Sequence, residues 1–320
     1  MRIAMLFCAV AATAAAAWAY AADPKAAAPA APAPAAAAPV PVTGVSHPFI
    51  CADYGNGKVR VVSAEGKVAW EYPAPGCQDV WLLPGGNYFF SHAHGAIEVT
   101  PDKKVVWEYK APAGAEVHTC QPLPGGSVFI CECGTSRLIE VGRDGTITKE
   151  IKIETATRGA HGQYRVARKL LNGNYLVAFT GERLVREFDG QGKTLRTIKV
   201  PGNPYGALRL PGGNTLIACG DGHKLIEVDP QDKVVWQVEE NELPGHPLRF
   251  VAGLQRLPNG NTVVCNWGGH GHVGGQPQVF EVTPEKKVVW QVSDWTTLKT
   301  ISGIQLLDVK GDVTKGEILR

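Results

Sequence analysis

Apolar residues along this chain recur in short runs separated by turn formers, never in long helical stripes. In Leu210–Val238, LPGGNTLIACGDGHKLIEVDPQDKVVWQV, a PGGN turn leads into the apolar run Thr215–Cys219. A Gly/Asp-rich turn separates that run from the alternating Lys224–Val228, and a DPQD turn precedes Val234–Val238. Runs of this length, rich in Val, Ile and Trp, predict antiparallel strands. The unit repeats from Leu83, Leu123, Leu170 and Leu257, and Leu307 marks a further start, at steps of 40, 47, 40, 47 and 50 residues. One more short strand precedes each marker, as in Asp79–Leu82 and Tyr205–Arg209. Four strands per period of about 40–50 residues is the pattern of propeller blades.

Five copies are complete. Gly303–Leu307 aligns with the first strand of another, while Phe49–Ala52, Val59–Val62 and Lys67–Tyr72 align with a second, third and fourth. Together they make a sixth blade, shared between the two ends of the repeat region, which closes the ring and leaves no open sheet edge. The expected fold is therefore all-β, a six-bladed β-propeller over residues 43–320, and a monomer.

Two segments lie outside the repeats. Residues 1–21 carry Arg2, the apolar run Ile3–Ala17 and Ala19-Tyr20-Ala21, the pattern of a cleaved signal peptide. Residues 22–42 are almost pure Ala and Pro, a semi-extended linker. An exported protein, periplasmic or extracellular, is expected, with no membrane span once the leader is removed. The formal charge of +2 and the lack of a basic run give no support for a nucleic-acid surface.

Removal of Cys8 with the leader leaves seven cysteines, an odd number for an exported chain, and their pairing is left open. Cys51, Cys131 and Cys265 share one repeat position with Ser91, Ala178 and Ala218, which reads as a small buried site. Cys131-Glu132-Cys133 could alternatively hold a soft metal or a strained redox pair. Trp70, Trp107, Trp236 and Trp290 recur at one place in the outer strand, where rings would pack between adjacent blades rather than bind sugars. Glu98, Glu140, Glu187, Glu227 and Glu281 also recur, and read as solvated strand residues.

Strand polarity places the loops before the first strand and after the second on one face of the ring. Eight of the nine histidines fall there, and His47 alone falls on the other. The first strand is innermost, so its start surrounds the channel mouth. Five residues before each marker stand Gln78, His118, Arg165, Tyr205, Ala252 and Ser302. Imidazoles and guanidiniums converging there suit a small polar or anionic ligand, or one divalent metal with an open position. The candidate catalytic residues are His118, His161, Arg165 and Tyr205. Gln78, Arg249, His246, Asn266 and His270 are candidate ligand contacts, and His92, His118 and His161 candidate metal ligands. Metal-assisted lyase or hydrolase chemistry is the leading expectation. There is no GxSxG, HExxH, Walker loop or Rossmann fingerprint. A non-catalytic envelope scaffold, binding protein partners through its rim, is the other reading.

The alternation of LPNGN or LPGGN with IEVDP…KVVW resembles the repeats of bacterial arylsulfotransferase-like propellers and of propellers with quinoprotein-like repeats. The resemblance spans about residues 46–307. Arylsulfotransferase kinship implies a central histidine that carries the sulfuryl group, with His118 through Leu123, Pro124 and Gly125 matching that family's His-x-x-x-x-Leu-Pro/Asn-Gly pattern. When VVCNWGG (263–269) is aligned with the corresponding blade, the acceptor position falls on Ala252. Group transfer by His118 or His161 is the alternative activity that this implies. Quinone-dependent dehydrogenases carry eight blades and often an adjacent Cys–Cys pair, neither present here, so PQQ is not the expected cofactor.

Overall fold

The computed structural model describes residues 45–320; the expected signal peptide and Ala/Pro linker lie outside the described residues. Six four-stranded antiparallel sheets stand around a channel. Blades 1 to 5 take residues 80–110, 116–152, 164–199, 206–238 and 250–292. Blade 6 pairs β24 (Ile301–Leu306) with β1 (Phe49–Asp53), followed by β2 (Lys58–Val62) and β3 (Val68–Pro73). Leu306 faces Phe49 and Ile304 faces Cys51 across that junction, so the shared blade is formed as the repeat alignment requires. Within a blade the strands are lettered a to d from the channel outward.

The second strand of each blade is buried on both faces, which explains near-continuous apolar runs where a one-sided sheet would alternate. Phe89 and Phe90 illustrate this. Phe89 packs with Trp107, Val117 and Ile130 toward blade 2, and Phe90 with Ile50 and Val59 toward blade 6. The outer strand is different: in Val105–Lys110 only Trp107 and Tyr109 are buried. Its tryptophans lie between blades as expected. Trp70 Nε1 donates to Pro101 O at 2.9 Å and Trp236 Nε1 to Pro284 O at 2.8 Å, each in the next blade's c–d turn. Where the chain has Arg196 instead, its guanidinium reaches the Asp229 carbonyl of blade 5's neighbour, blade 4, in the same way.

The repeated glutamates are not solvated, and that expectation is corrected here. Glu98, Glu187 and Glu281 are buried, and each accepts from the turn asparagine of its own blade: Asn87, Asn174 and Asn261, at 2.7, 2.7 and 2.6 Å. Asn214 and Glu227 repeat the contact at 2.7 Å. A basic group completes each: Arg143 on Glu98, Arg209 on Glu187, Arg256 on Glu227 and His47 on Glu281. The N of PGGN and the E of IEV thus form one device that ties the a–b turn to strand c.

Below the mouth the channel is closed by a charged cluster. Asp79, 2% exposed, accepts from Arg168 Nη1 at 2.7 Å and Nη2 at 3.1 Å, and from Thr119 Oγ1 at 3.0 Å. Arg320 enters from the opposite face with its Nη2 3.4 Å from Asp79, and both guanidiniums lie over the Trp81 ring. Among the described residues, seven cysteines are free and buried. Burial raises the Cys131 and Cys133 thiols, the latter to about 12, so the thiolate that a soft metal or exchange chemistry needs is disfavoured, and the small-buried-site reading fits.

Candidate functional site

All six ring positions stand off the regular pairing of strand a. In β8 (Glu116–Pro122) the register against strand b shifts between Val117 and Thr119, at His118. In β12 (Tyr164–Lys169) it shifts across Arg165, in β20 (Phe250–Arg256) across Ala252, and in β24 across Ser302. Gln78 and Tyr205 precede their strands β4 (Val80–Leu82) and β16 (Gly206–Arg209). A bulge turns a side chain out of the pleat, and here it turns toward the channel mouth. Blades 1 and 4 are opposite, and Tyr205 Oη donates to Gln78 Oε1 across the channel at 3.0 Å.

Beside this floor is a second constellation. The d–a loop of blade 3 ends in the single turn α1 (Ala160–Gln163), which carries His161. Buried Gln163 anchors it: Oε1 accepts from Gly134 N at 2.7 Å, and Nε2 donates to Thr157 O at 3.0 Å. His161 Nδ1 and His118 Nε2 both lie 2.8 Å from Glu116 Oε2. His118 Nδ1 contacts the Tyr164 carbonyl at 2.7 Å. The same Nδ1 lies 3.1 Å from Arg165 Nη1, a group that only donates. Burial lowers the His118 pKa, and the Arg165 cation adds to this against the opposing Glu116 contact, so the neutral ring is favoured. The two imidazoles hold the Glu116 carboxyl well below the usual carboxylate range. Among the described residues, Glu116, His118 and His161 are the group of donors close enough to share a metal ion, their ligand atoms within 4.8 Å of one another.

Next to this cluster opens a cavity of about 240 Å³, lined by Gln78, His161, Arg165, Tyr205, His270 and Ser302 among others. Arg165 Nη1 donates to the Tyr164 carbonyl at 3.1 Å and to that of His161. Four sequence-derived candidates fall elsewhere. His92 ends strand b of blade 1 with its ring against Gly95, and the third donor beside His118 and His161 is Glu116 in its place. His246 is buried between Pro244 O and Gln291 and edge-on to Phe280. Arg249 pairs with Glu240 away from the cavity. Asn266 is fully buried and clamps Arg249 N at 2.8 Å and Pro247 O at 2.9 Å, a loop-fixing role.

Sequence reasoning passed over Glu116 and the aromatic residues Tyr54, Phe250 and Trp267 of the cavity wall. The available signal for Glu116 was a carboxylate two residues from His118 at the start of the same inner strand. For Trp267 the signal was its departure from the periodic tryptophan position. His47, on the far face, bonds Asp308 at 2.7 Å and Glu281 at 2.9 Å.

Comparison with solved structures adds relatives to this geometry. The chain is 33% identical to a protein of unknown function from Bacteroides caccae, with a TM-score of 0.75, over 81% of this chain and 98% of that one. It shares the fold of virginiamycin B lyase from Staphylococcus aureus with quinupristin: 13% identity, TM-score 0.57, 86% and 94% covered. A streptogramin B lyase is similar at 12% identity and TM-score 0.56, with 78% and 82% covered. Curated proteins yield no match. The family model that matches is the Mal s 1 allergenic protein-like one, over residues 59–287, rather than an arylsulfotransferase or quinoprotein model. The chain belongs to the Mal s 1 allergenic protein-like family of β-propellers.

Proposed function

We propose that the channel mouth binds a small polar or anionic ligand, and that Glu116, His118 and His161 hold a divalent transition ion beside it for lyase or hydrolase chemistry. The observation that carries this reading is the convergence of His118 Nε2 and His161 Nδ1 on Glu116 Oε2, each at 2.8 Å. The three ligand atoms lie within 4.8 Å of one another, close enough to share one cation. Two imidazoles and one carboxylate are a donor set suited to zinc with an open position. When bound, such an ion would polarise a ligand oxygen as a Lewis acid. Arg165 would hold negative charge on the ligand, and the Tyr205–Gln78 bridge would close the floor beneath it. The lyases that share this fold lend support to the elimination branch. Export to a periplasmic or extracellular compartment is part of the same proposal.

The test is metal content of protein purified without chelator, followed by calorimetric Zn²⁺ titration. One ion per chain is expected, with affinity reduced at least about 100-fold in Glu116→Gln and in His161→Ala. His47→Ala and His246→Ala should leave it unchanged. Uptake that survives Glu116→Gln together with His161→Ala would sink the metal site.

A further inference from the structure

The cavity has two chemically different walls. One carries Arg165 and His161. The other is aromatic: Phe250, Trp267 and His270 meet edge to face with ring centroids 5.1 to 5.4 Å apart. Tyr54 extends this wall at 6.0 Å from Trp267. Phe250 and Trp267 pack on the core of blade 5 and at the same time line the cavity, at positions where the other blades have no equivalent ring. The loop is shaped around the indole, because a Cβ on Gly269 would lie 1.9 Å from the Trp267 ring. His270 adopts positive φ and is oriented by Asp221 Oδ1 at 2.9 Å from its Nδ1.

The cavity lining also holds a cation, and the one carboxylate of that lining, Asp221, is engaged by His270. Arg165 has no carboxylate partner among the described residues, unlike Arg60, Arg137, Arg168 and Arg249. Its hydrogen bonds run through Nη1 alone, so Nε and Nη2 are left for a ligand. A cavity of 150 Å³ takes a benzene ring, so about 240 Å³ leaves room for one ring and a short charged arm.

We infer that the ligand class is a small aromatic carboxylate, its ring against Tyr54, Phe250 and Trp267 and its carboxylate forked onto Arg165. This rests on the reading of the mouth as a ligand site, but not on the metal.

Calorimetry on the full protein, with and without Zn²⁺, would use benzoate and cinnamate as probes, against cyclohexanecarboxylate and benzamide. The aromatic acids should bind at least about tenfold tighter than either control, one lacking the π face and the other the charge. Trp267→Leu should remove about tenfold of aryl-acid affinity while Zn²⁺ uptake stays unchanged. Arg165→Gln should bring benzoate down to the level of benzamide. Equal binding of cyclohexanecarboxylate and benzoate would overturn the aromatic assignment, as would Zn²⁺ uptake with no aryl acid bound. Aryl-acid binding without Zn²⁺ uptake would support this inference and refute the metal site.

Discussion

Replacing Asp79 by asparagine tests whether the charged cluster closing the channel holds the inner strands together. The carboxylate serves Arg168 at 2.7 and 3.1 Å, Arg320 at 3.4 Å, Thr119 Oγ1 at 3.0 Å and Cys120 N at 3.3 Å. It therefore links strand a of blades 1, 2 and 3 to the segment carrying Arg320. Both guanidinium side chains are buried, at 9% and 2% exposure, and Asp79 is the Asp or Glu side chain that each meets, while Arg168 Nε also donates to Arg320 O at 2.7 Å. Asparagine is nearly isosteric, so no cavity forms, but two buried cations lose their counter-charge. Removing one partner of such a pair costs about 3–5 kcal/mol. At roughly 2–3 °C per kcal/mol for a domain of this size, the melting temperature should fall by about 6–15 °C. Urea unfolding at pH 7 measures the free energy, and a cycle with Arg168→Gln isolates the pair. If Asp79→Asn costs under about 1 kcal/mol with an unchanged m-value, the cluster does not bind the blades together.

Three further outcomes are expected. Deleting residues 300–320 removes β24 and exposes the edge of β1, so cooperative unfolding should be lost or the protein should aggregate, and a monomer melting at the original temperature would refute the shared blade. Contacts with Glu281 and Asp308 raise the His47 pKa against the opposing effect of burial, so its protonated form stabilises the fold below about pH 6.5 and that contribution disappears as pH rises through the raised value; His47→Gln should flatten unfolding free energy measured from pH 6 to 8.5. Trp236→Arg should cost about half as much as Trp236→Ala, itself roughly 2–3 kcal/mol in thermal unfolding, because Arg196 shows that arginine reaches the same kind of turn carbonyl; equal losses would count against that equivalence.

Legibility in the sequence followed periodicity. Leu markers, turn signals and recurrent tryptophans recur once per blade, so blade number, closure and the inward ring could be read by alignment of the chain with itself. Burial of Glu98, Glu187 and Glu281 could not, because it is set by the neighbouring blade and by an asparagine across the sheet, neither of which alternation along one strand reveals. Glu116 was hidden for a related reason: it stands at the start of its strand, and its meeting with His161 is set by the turn Ala160–Gln163 of the next blade. Tyr54, Phe250 and Trp267 occur once each, in one short turn and at two strand ends with no counterpart in other blades, and the segment bearing Arg320 has no repeat to align with. His92 looked like a ligand because it shares the face of His118, yet a face is far wider than a coordination sphere.

The six bulged or pre-strand positions also bear on how such a ring can change its chemistry. In four of the blades the turn asparagine and strand-c glutamate answer to the same mechanical demand, and their identities do not vary from copy to copy. Gln78, His118, Arg165, Tyr205, Ala252 and Ser302 answer to none, since no cross-strand partner is matched to them. Six equivalent places therefore hold six different functional groups within one molecule. Specificity can drift one blade at a time, with folding constraints carried by other residues, and a change of substrate needs no change of scaffold.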